Sequence, residues 1–223
     1  VRWDVEKPLE KEAIDIIRNE FKVDIFQTDG TPIKLFLADM DSTIVSGETL
    51  DDMAELVGIG ERIADITARA MRGELDFEAA LDERVGLLKG LSTNMIDQAL
   101  SQMTLNPGAE KLLNHLKAKG VYCVLVSGGF TQFTSVVAQN LGFDENFGNS
   151  LVIEDGALTG EVERPILDKN FKLQKLNQIK AEKSLDAKSI IAIGDGANDL
   201  PMLQEAGVGV AYQGKPVLRE ALV

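Results

Sequence analysis

Residues 35–43 read Leu35-Phe36-Leu37-Ala38-Asp39-Met40-Asp41-Ser42-Thr43, and this stretch decides the fold. Four consecutive apolar residues predict a short strand buried on both faces. The strand empties into two carboxylates two positions apart. Such a pair is costly, because the acids repel each other and each resists losing its water. A bound cation is the usual remedy at neutral pH. A carboxylate at a strand end can also serve as a nucleophile. The pair therefore predicts a phosphate-binding place and a second acidic cluster elsewhere in the chain.

Both are found further along. Residues 121–126 form a continuous apolar run that leads into Ser127-Gly128-Gly129 and a predicted helix to Leu141. Residues 189–193 form another, leading into Gly194-Asp195-Gly196-Ala197-Asn198-Asp199. Residues 34–38 and 208–211 read as the first and fourth strands. Helical spacing covers 109–119, closed by Gly120, then 171–182 and 200–205; 151–162 reads as a hairpin turning at Asp155-Gly156. Near-continuous apolar strands alternating with helices predict a parallel sheet covered on both faces. Function in such folds lies beyond the carboxyl ends of the strands. Three strands end there in loops rich in polar chemistry.

Between Ser46 and Leu105 no strand-like run occurs. Met53, Leu56 and Val57, then Ile63, Ile66 and Ala70, then Phe77, Leu81, Val85 and Leu88, then Met95, Ile96 and Leu100 fall at helical spacing. Glycines punctuate them, so four short helices are expected as an insertion. The expected organisation is a core of 34–45 with 106–223, a helical cap of 46–105, and a polar lead-in of 1–33. The lead-in shows a helix over 8–20 and a possible edge strand over 23–26. The chain opens on Val1, which reads as a piece of a longer product.

The chain has 223 residues, with 36 acids against 23 bases and a formal charge of -13. That balance argues against nucleic acid or an anionic membrane as a partner, since both call for a basic face. It leaves an anionic small molecule open, because a local metal or lysine overrides the global field. One cysteine, Cys123, excludes an internal disulfide and fits a reducing compartment, so a cytoplasmic location is expected. No run of 18 apolar residues predicts a membrane span.

Asp-Met-Asp-Ser-Thr, Val-Ser-Gly-Gly-Phe, a lysine segment and Gly-Asp-Gly-Ala-Asn-Asp, in this order over roughly residues 34–216, resemble the four motifs of the haloacid dehalogenase superfamily of phosphotransferases. The resemblance implies an α/β fold: a Rossmann-like parallel sheet core of the haloacid dehalogenase type with an inserted small helical-bundle cap. It implies a Mg2+-dependent phosphatase acting on O-phosphoserine, the last step of serine biosynthesis, through an aspartyl phosphate. Asp39 is then the nucleophile, and Asp39 and Asp195 are the carboxylates that hold Mg2+. The resemblance adds Asp41 through its backbone carbonyl and Asp199 through water or from behind the ligands. Asp41 is placed as general acid and base, with a second metal carboxylate as the alternative. Ser127 and Gly128 read as a phosphate site at a helix start, and Asn198 as a brace for the Asp195 loop. The resemblance favours Lys172 over Lys169 and Lys175 as the phosphate-neutralising lysine. It also matches Glu48 to the residue meeting the substrate ammonium, Arg84 to the one meeting its carboxylate, and Met71 and Phe77 to the pocket wall.

The lone His115 reads as surface and Cys123 as a small buried apolar residue. The runner-up activities are transfer of the phosphoryl group to another alcohol and hydrolysis of a different small phosphate ester. A phospho-accepting signalling domain shares the acidic cluster, hydroxyl and lysine, but has no use for a base beside its phospho-aspartate or for a helical insertion. The resemblance implies that residues 1–33 are the stub of a regulatory domain. It also implies that a final helix after the fourth strand is missing from this chain.

Overall fold

The computed structural model describes residues 7–21 and 28–221. In chain order the elements are α1 (Lys11–Phe21), β1 (Leu35–Ala38), β2 (Val45–Ser46), α2 (Thr49–Leu56), α3 (Gly60–Met71), α4 (Phe77–Gly86), α5 (Asn94–Gln102), β3 (Thr104–Leu105), α6 (Ala109–Ala118), β4 (Tyr122–Phe130), α7 (Thr131–Leu141), β5 (Glu145–Asn149), β6 (Leu151–Glu154), β7 (Ala157–Val162), α8 (Lys169–Glu182), β8 (Ile190–Gly194), α9 (Leu200–Glu205), β9 (Val208–Ala211) and α10 (Pro216–Ala221). Residues 1–32 form a unit of their own that contains α1; Ile33–Val223 form the other. The possible strand over 23–26 lies outside the described residues.

Five strands form one parallel sheet in the order β5-β4-β1-β8-β9. β1 lies at its centre, paired on one side with β4 and on the other with β8. Alternate residues of each strand serve opposite layers. Phe36, Ala38, Cys123 and Leu125 join Leu113, Leu116, Phe133 and Val137 in one core. Leu35, Leu37, Val124 and Val126 join Leu176, Ile179, Met202 and Leu203 in the other. Both faces are covered, which is why these strands read as unbroken apolar runs. Truncating Phe36 or Leu37 to Ala would remove a fully buried side chain, at a cost of roughly 2–5 kcal/mol.

The four expected helices α2–α5 are present, held between β2 and β3. These two strands pair antiparallel through Val45↔Leu105 and Ser46↔Thr104, which corrects the expectation of no strand there. Two residues each are too few to carry a periodicity. The hairpin β6–β7 turns at Asp155 (φ 49) and Gly156 (φ 77), two successive left-handed residues that suit this turn. It bonds to the insertion through Gly90 N to Leu158 O, Leu158 N to Leu91 O and Thr93 N to Gly156 O.

Three further expectations are corrected. The sheet has a fifth strand, β5. β4 continues past Val126 through an irregularity to Phe130, so Ser127 and Gly128 lie in a strand end, not at a helix start. A helix, α10, does follow β9.

Candidate active site

The register sets Ala38 beside Leu125 and Ile193, so β1, β4 and β8 reach the same edge together. Asp39 follows directly and keeps the ladder through its N–H to Ile193 O at 3.0 Å. Its side chain is buried. Oδ1 accepts from Met40 N at 2.8 Å and lies 2.8 Å from Lys172 Nζ. Oδ2 accepts no hydrogen bond among the described residues, yet it is not sealed off. One oxygen is thus anchored and the other is available to react.

Lys172 stands in the first turn of α8, which is capped by the Asp168 carboxylate accepting from Asn170 N and Phe171 N. The cap fixes where the helix begins, and so where Lys172 points. Its Nζ also donates to Asp199 Oδ1 at 2.6 Å. Asp199 is fully buried, and its Oδ2 accepts from Asp195 N and Gly196 N, each at 3.1 Å. Both Asp199 oxygens are therefore occupied by protein donors. This residue shapes the 194–199 loop more readily than it could give an oxygen to an ion.

Burial pushes the Asp39 pKa up, the Lys172 ammonium opposes that, and Asp199 adds to the rise. Burial works against the charge on Lys172, but the Asp39 and Asp199 carboxylates outweigh it and hold its pKa above the ordinary lysine value. Ligand oxygens of Asp39, Asp195 and Asp199 all lie within 4.8 Å of one another. Three buried carboxylates against one buried ammonium leave negative charge uncompensated. An all-oxygen donor set of this kind fits a hard divalent cation, with water completing the shell.

Asp41 is buried beside this cluster. Its Oδ1 accepts from Thr49 N at 2.9 Å, and its Oδ2 from Ser127 Oγ at 2.9 Å. Thr49 is the first residue of α2, and Glu48 before it makes no side-chain cap. Asp41 therefore caps the insertion's first helix from outside. Gly129 N donates back to Ser127 Oγ at 2.8 Å. A Cβ on Gly129 would stand 2.8 Å from Asp41 Oδ2, so only glycine lets this strand end approach so closely.

At the mouth, Glu48 Oε1 accepts from Ser42 Oγ at 2.9 Å, and desolvation followed by the Asp41 charge raises its pKa. Desolvation lowers that of Arg84, while Asp51 and Glu48 raise it. Arg84 is thus electrostatically linked to Glu48, and its Nε donates to Ala80 O at 3.1 Å. The Phe77 ring reaches within 3.6 Å of where a Gly128 Cβ would be, although 42% of the residue is exposed. Met71 is not brought into a pocket wall: it is 85% exposed at the end of α3, whose buried residues Ile63 and Ile66 face elsewhere. Asn198 lies in the loop, with Nδ2 at 3.5 Å from Asp199 Oδ1. Lys175 is turned away, its ammonium 4.2 Å from the Phe147 ring centroid. His115 is exposed, and Cys123 is buried.

Three residues at the site escaped sequence reasoning. Lys215, 64% exposed, has its Nζ 3.3 Å from Asp195 Oδ2. Thr49 supplies the N–H described above. Asn149 bridges the end of β4 and the segment before α8, through Gly128 O and Leu167 N. The turn-like Gly214-Lys215-Pro216 was the available sign for Lys215; the other two carried none.

A family model of haloacid dehalogenase-like hydrolases matches residues 36–204. The chain is 38% identical over 220 residues to a phosphoserine phosphatase of Archaeoglobus fulgidus, covering 99% of this chain and 62% of that one. It is 43% identical over 188 residues to a phosphoserine phosphatase of Lactococcus lactis, covering 84% and 87%. It superposes on the solved structure of a phospho-aspartyl intermediate analogue of phosphoserine phosphatase with a TM-score of 0.78 at 39% identity, covering 86% of this chain and 91% of that one. Among the described residues no helix is long and apolar enough to cross a membrane.

Proposed function

This chain belongs to the haloacid dehalogenase-like hydrolases, and from that premise we propose that it is a Mg2+-dependent phosphatase that converts O-phosphoserine to serine and phosphate through a phosphorylated Asp39. The observation that carries the reading is Asp39 itself: one carboxylate oxygen anchored by Met40 N–H and Lys172, the other unengaged at the end of the central strand.

Asp39 Oδ2 attacks phosphorus as the bond from phosphorus to the serine oxygen breaks. Asp41 gives its proton to the departing alkoxide, which leaves as the serine hydroxyl. A water then attacks phosphorus and yields its proton to Asp41, and the bond from Asp39 to phosphorus breaks. Phosphate is released, and both acids return to their starting states. Splitting the transfer in two replaces one difficult step with two easier ones. Asp39 and Asp195 would hold Mg2+, with Asp199 behind them, and the ion when bound neutralises charge on the phosphoryl oxygens. Lys172 adds a fixed positive charge, and the Gly128 N–H supplies a donor, joined by the Ser127 hydroxyl once it turns from Asp41. Preorganised charge of this kind is the main source of rate in phosphoryl transfer.

The insertion of residues 46–105 acts as the cap that reads the amino acid. Glu48 meets the substrate ammonium and Arg84 its carboxylate, for which a guanidinium offers a two-pronged contact. Phe77 closes over the phosphate-facing strand, and Met71 joins it when the cap closes. The test is phosphate release from O-phosphoserine, O-phosphothreonine, a phosphorylated sugar and an aryl phosphate, each with and without Mg2+. The expected result is Mg2+-dependent release with phosphoserine preferred. Turnover that ignores Mg2+, or that favours another ester, would contradict the reading.

A further inference from the structure

We propose that Asn149 is a positioning residue that ties the phosphate-facing strand end to the helix bearing Lys172, so that the two cationic and donor elements of the site keep one spacing. This rests on the reading of Ser127, Gly128 and Lys172 as phosphate ligands.

Asn149 ends β5 at the sheet edge, and the residue is 2% exposed. Its Nδ2 donates to Gly128 O at 2.8 Å, and its Oδ1 accepts from Leu167 N at 2.7 Å. A buried amide with both ends satisfied by backbone groups is a strut between them. Each end leads directly to the site. The Gly128 carbonyl shares its peptide plane with Gly129 N, which donates to Ser127 Oγ, which in turn donates to Asp41. Fixing the carbonyl fixes that plane, the Ser127 hydroxyl and the partner of the acid. Leu167 directly precedes Asp168, whose carboxylate caps α8 and thereby sets the first turn that carries Lys172. Asn149 itself touches neither Asp39 nor Lys172. It acts through the groups that do.

An amide is needed here because the two backbone partners are of opposite polarity, one a carbonyl and one an N–H. Leucine has a similar shape and satisfies neither. With it, the Gly128 carbonyl and the Leu167 N–H lose their buried partners and the two segments are free to drift. Small displacements of this kind weigh heavily on a site whose catalysis is positional.

The test uses the full chain as Asn149→Leu and as Asn149→Ser, the second keeping a polar group and room for water. Inorganic phosphate is titrated calorimetrically in the presence of Mg2+, well below the melting temperature, and Mg2+ is titrated separately. The expected result is a phosphate Kd raised about tenfold or more in both variants, with kcat for phosphoserine falling by a similar factor. The Mg2+ Kd should rise by clearly less than the phosphate Kd, because Asn149 reaches the metal carboxylates only through Lys172 but reaches the phosphate donors from both of its ends. A merely structural role predicts a lower melting temperature with both affinities of the folded protein unchanged. A phosphate Kd within about twofold of the parent in either folded variant, or equal losses for phosphate and Mg2+, would overturn the proposal. A parent protein that binds phosphate but spares phosphoserine would instead count against the substrate reading alone.

Discussion

Ser127 and Asp41 stand 86 positions apart in the chain, and the Ser127 hydroxyl donates to Asp41 Oδ2 across 2.9 Å. The same acid accepts from Thr49 N on its other oxygen. The proposed proton-transfer group is therefore oriented from two sides, by the end of β4 and by the first helix of the insertion.

Ser127→Ala removes the hydroxyl whose single proton orients Asp41 in the free site and can turn to the phosphoryl group when substrate binds. A hydrogen bond to a charged group is worth about 1.5–3 kcal/mol, so kcat/KM is expected to fall roughly 10- to 100-fold. Steady-state hydrolysis of phosphoserine measures it. A loss below about threefold would show that the Ser127 hydroxyl does not matter to the reaction.

Lys172→Met leaves Asp39 and Asp199 buried without their shared cation. Removing one partner of a buried ion pair costs about 3–5 kcal/mol. At ~2–4 °C per kcal/mol for a chain of this size, the melting temperature should fall by about 10 °C. Saturating Mg2+ should restore more of the variant's melting temperature than it adds to the parent's, because the ion supplies the missing positive charge. Scanning calorimetry with and without Mg2+ checks both points, and an unchanged melting temperature would contradict the charge account.

Arg84→Ala should raise KM for phosphoserine at least about tenfold while leaving KM for an aryl phosphate within about twofold, since only the first substrate carries a carboxylate for Arg84 to grip. Equal changes on both substrates would remove Arg84 from substrate recognition.

Burial pushes the Cys123 thiol up to about 11. Its thiolate population near pH 8.5 should then be about 100-fold lower than in the unfolded chain, and its alkylation by iodoacetamide slower by at least that factor. The sign for stability follows. The raised folded pKa favours the protonated fold, so this contribution is complete below the ordinary thiol value of 9.0 and declines as pH climbs towards 11. Native and unfolded alkylation rates within about tenfold of each other would contradict the burial.

The parts of this protein that were legible beforehand share one cause. β1, β4 and β8 lie between two covered faces, so their apolar runs are unbroken and the acids at their ends stand out. The insertion's helices bury one stripe each and show it as spacing. β5 reads Glu145-Asn146-Phe147-Gly148-Asn149, an edge strand whose polar side chains face partners that no local pattern reveals. Asn149 belongs to this silent class, whereas Lys215 carries only its turn-like Gly-Lys-Pro setting, with its partner Asp195 twenty positions away. Gly128-Gly129 imitates a turn and so suggests a helix start at Ser127; the backbone instead stays extended to Phe130, and the tight approach to Asp41 is what Gly129 serves. Met71 stands 85% exposed at the end of α3, away from that helix's buried Ile63 and Ile66, and its spacing in the sequence gives no sign of this.

The central claim is a phosphoryl group carried on Asp39. Phosphoserine turnover quenched with acid in the steady state, followed by borohydride reduction and mass spectrometry of the digested chain, tests it directly, because reduction converts an aspartyl phosphate to homoserine. The account predicts homoserine at position 39 and nowhere else, dependent on substrate. Homoserine at Asp41, Asp195 or Asp199, or none in an enzyme that is turning over, would contradict it.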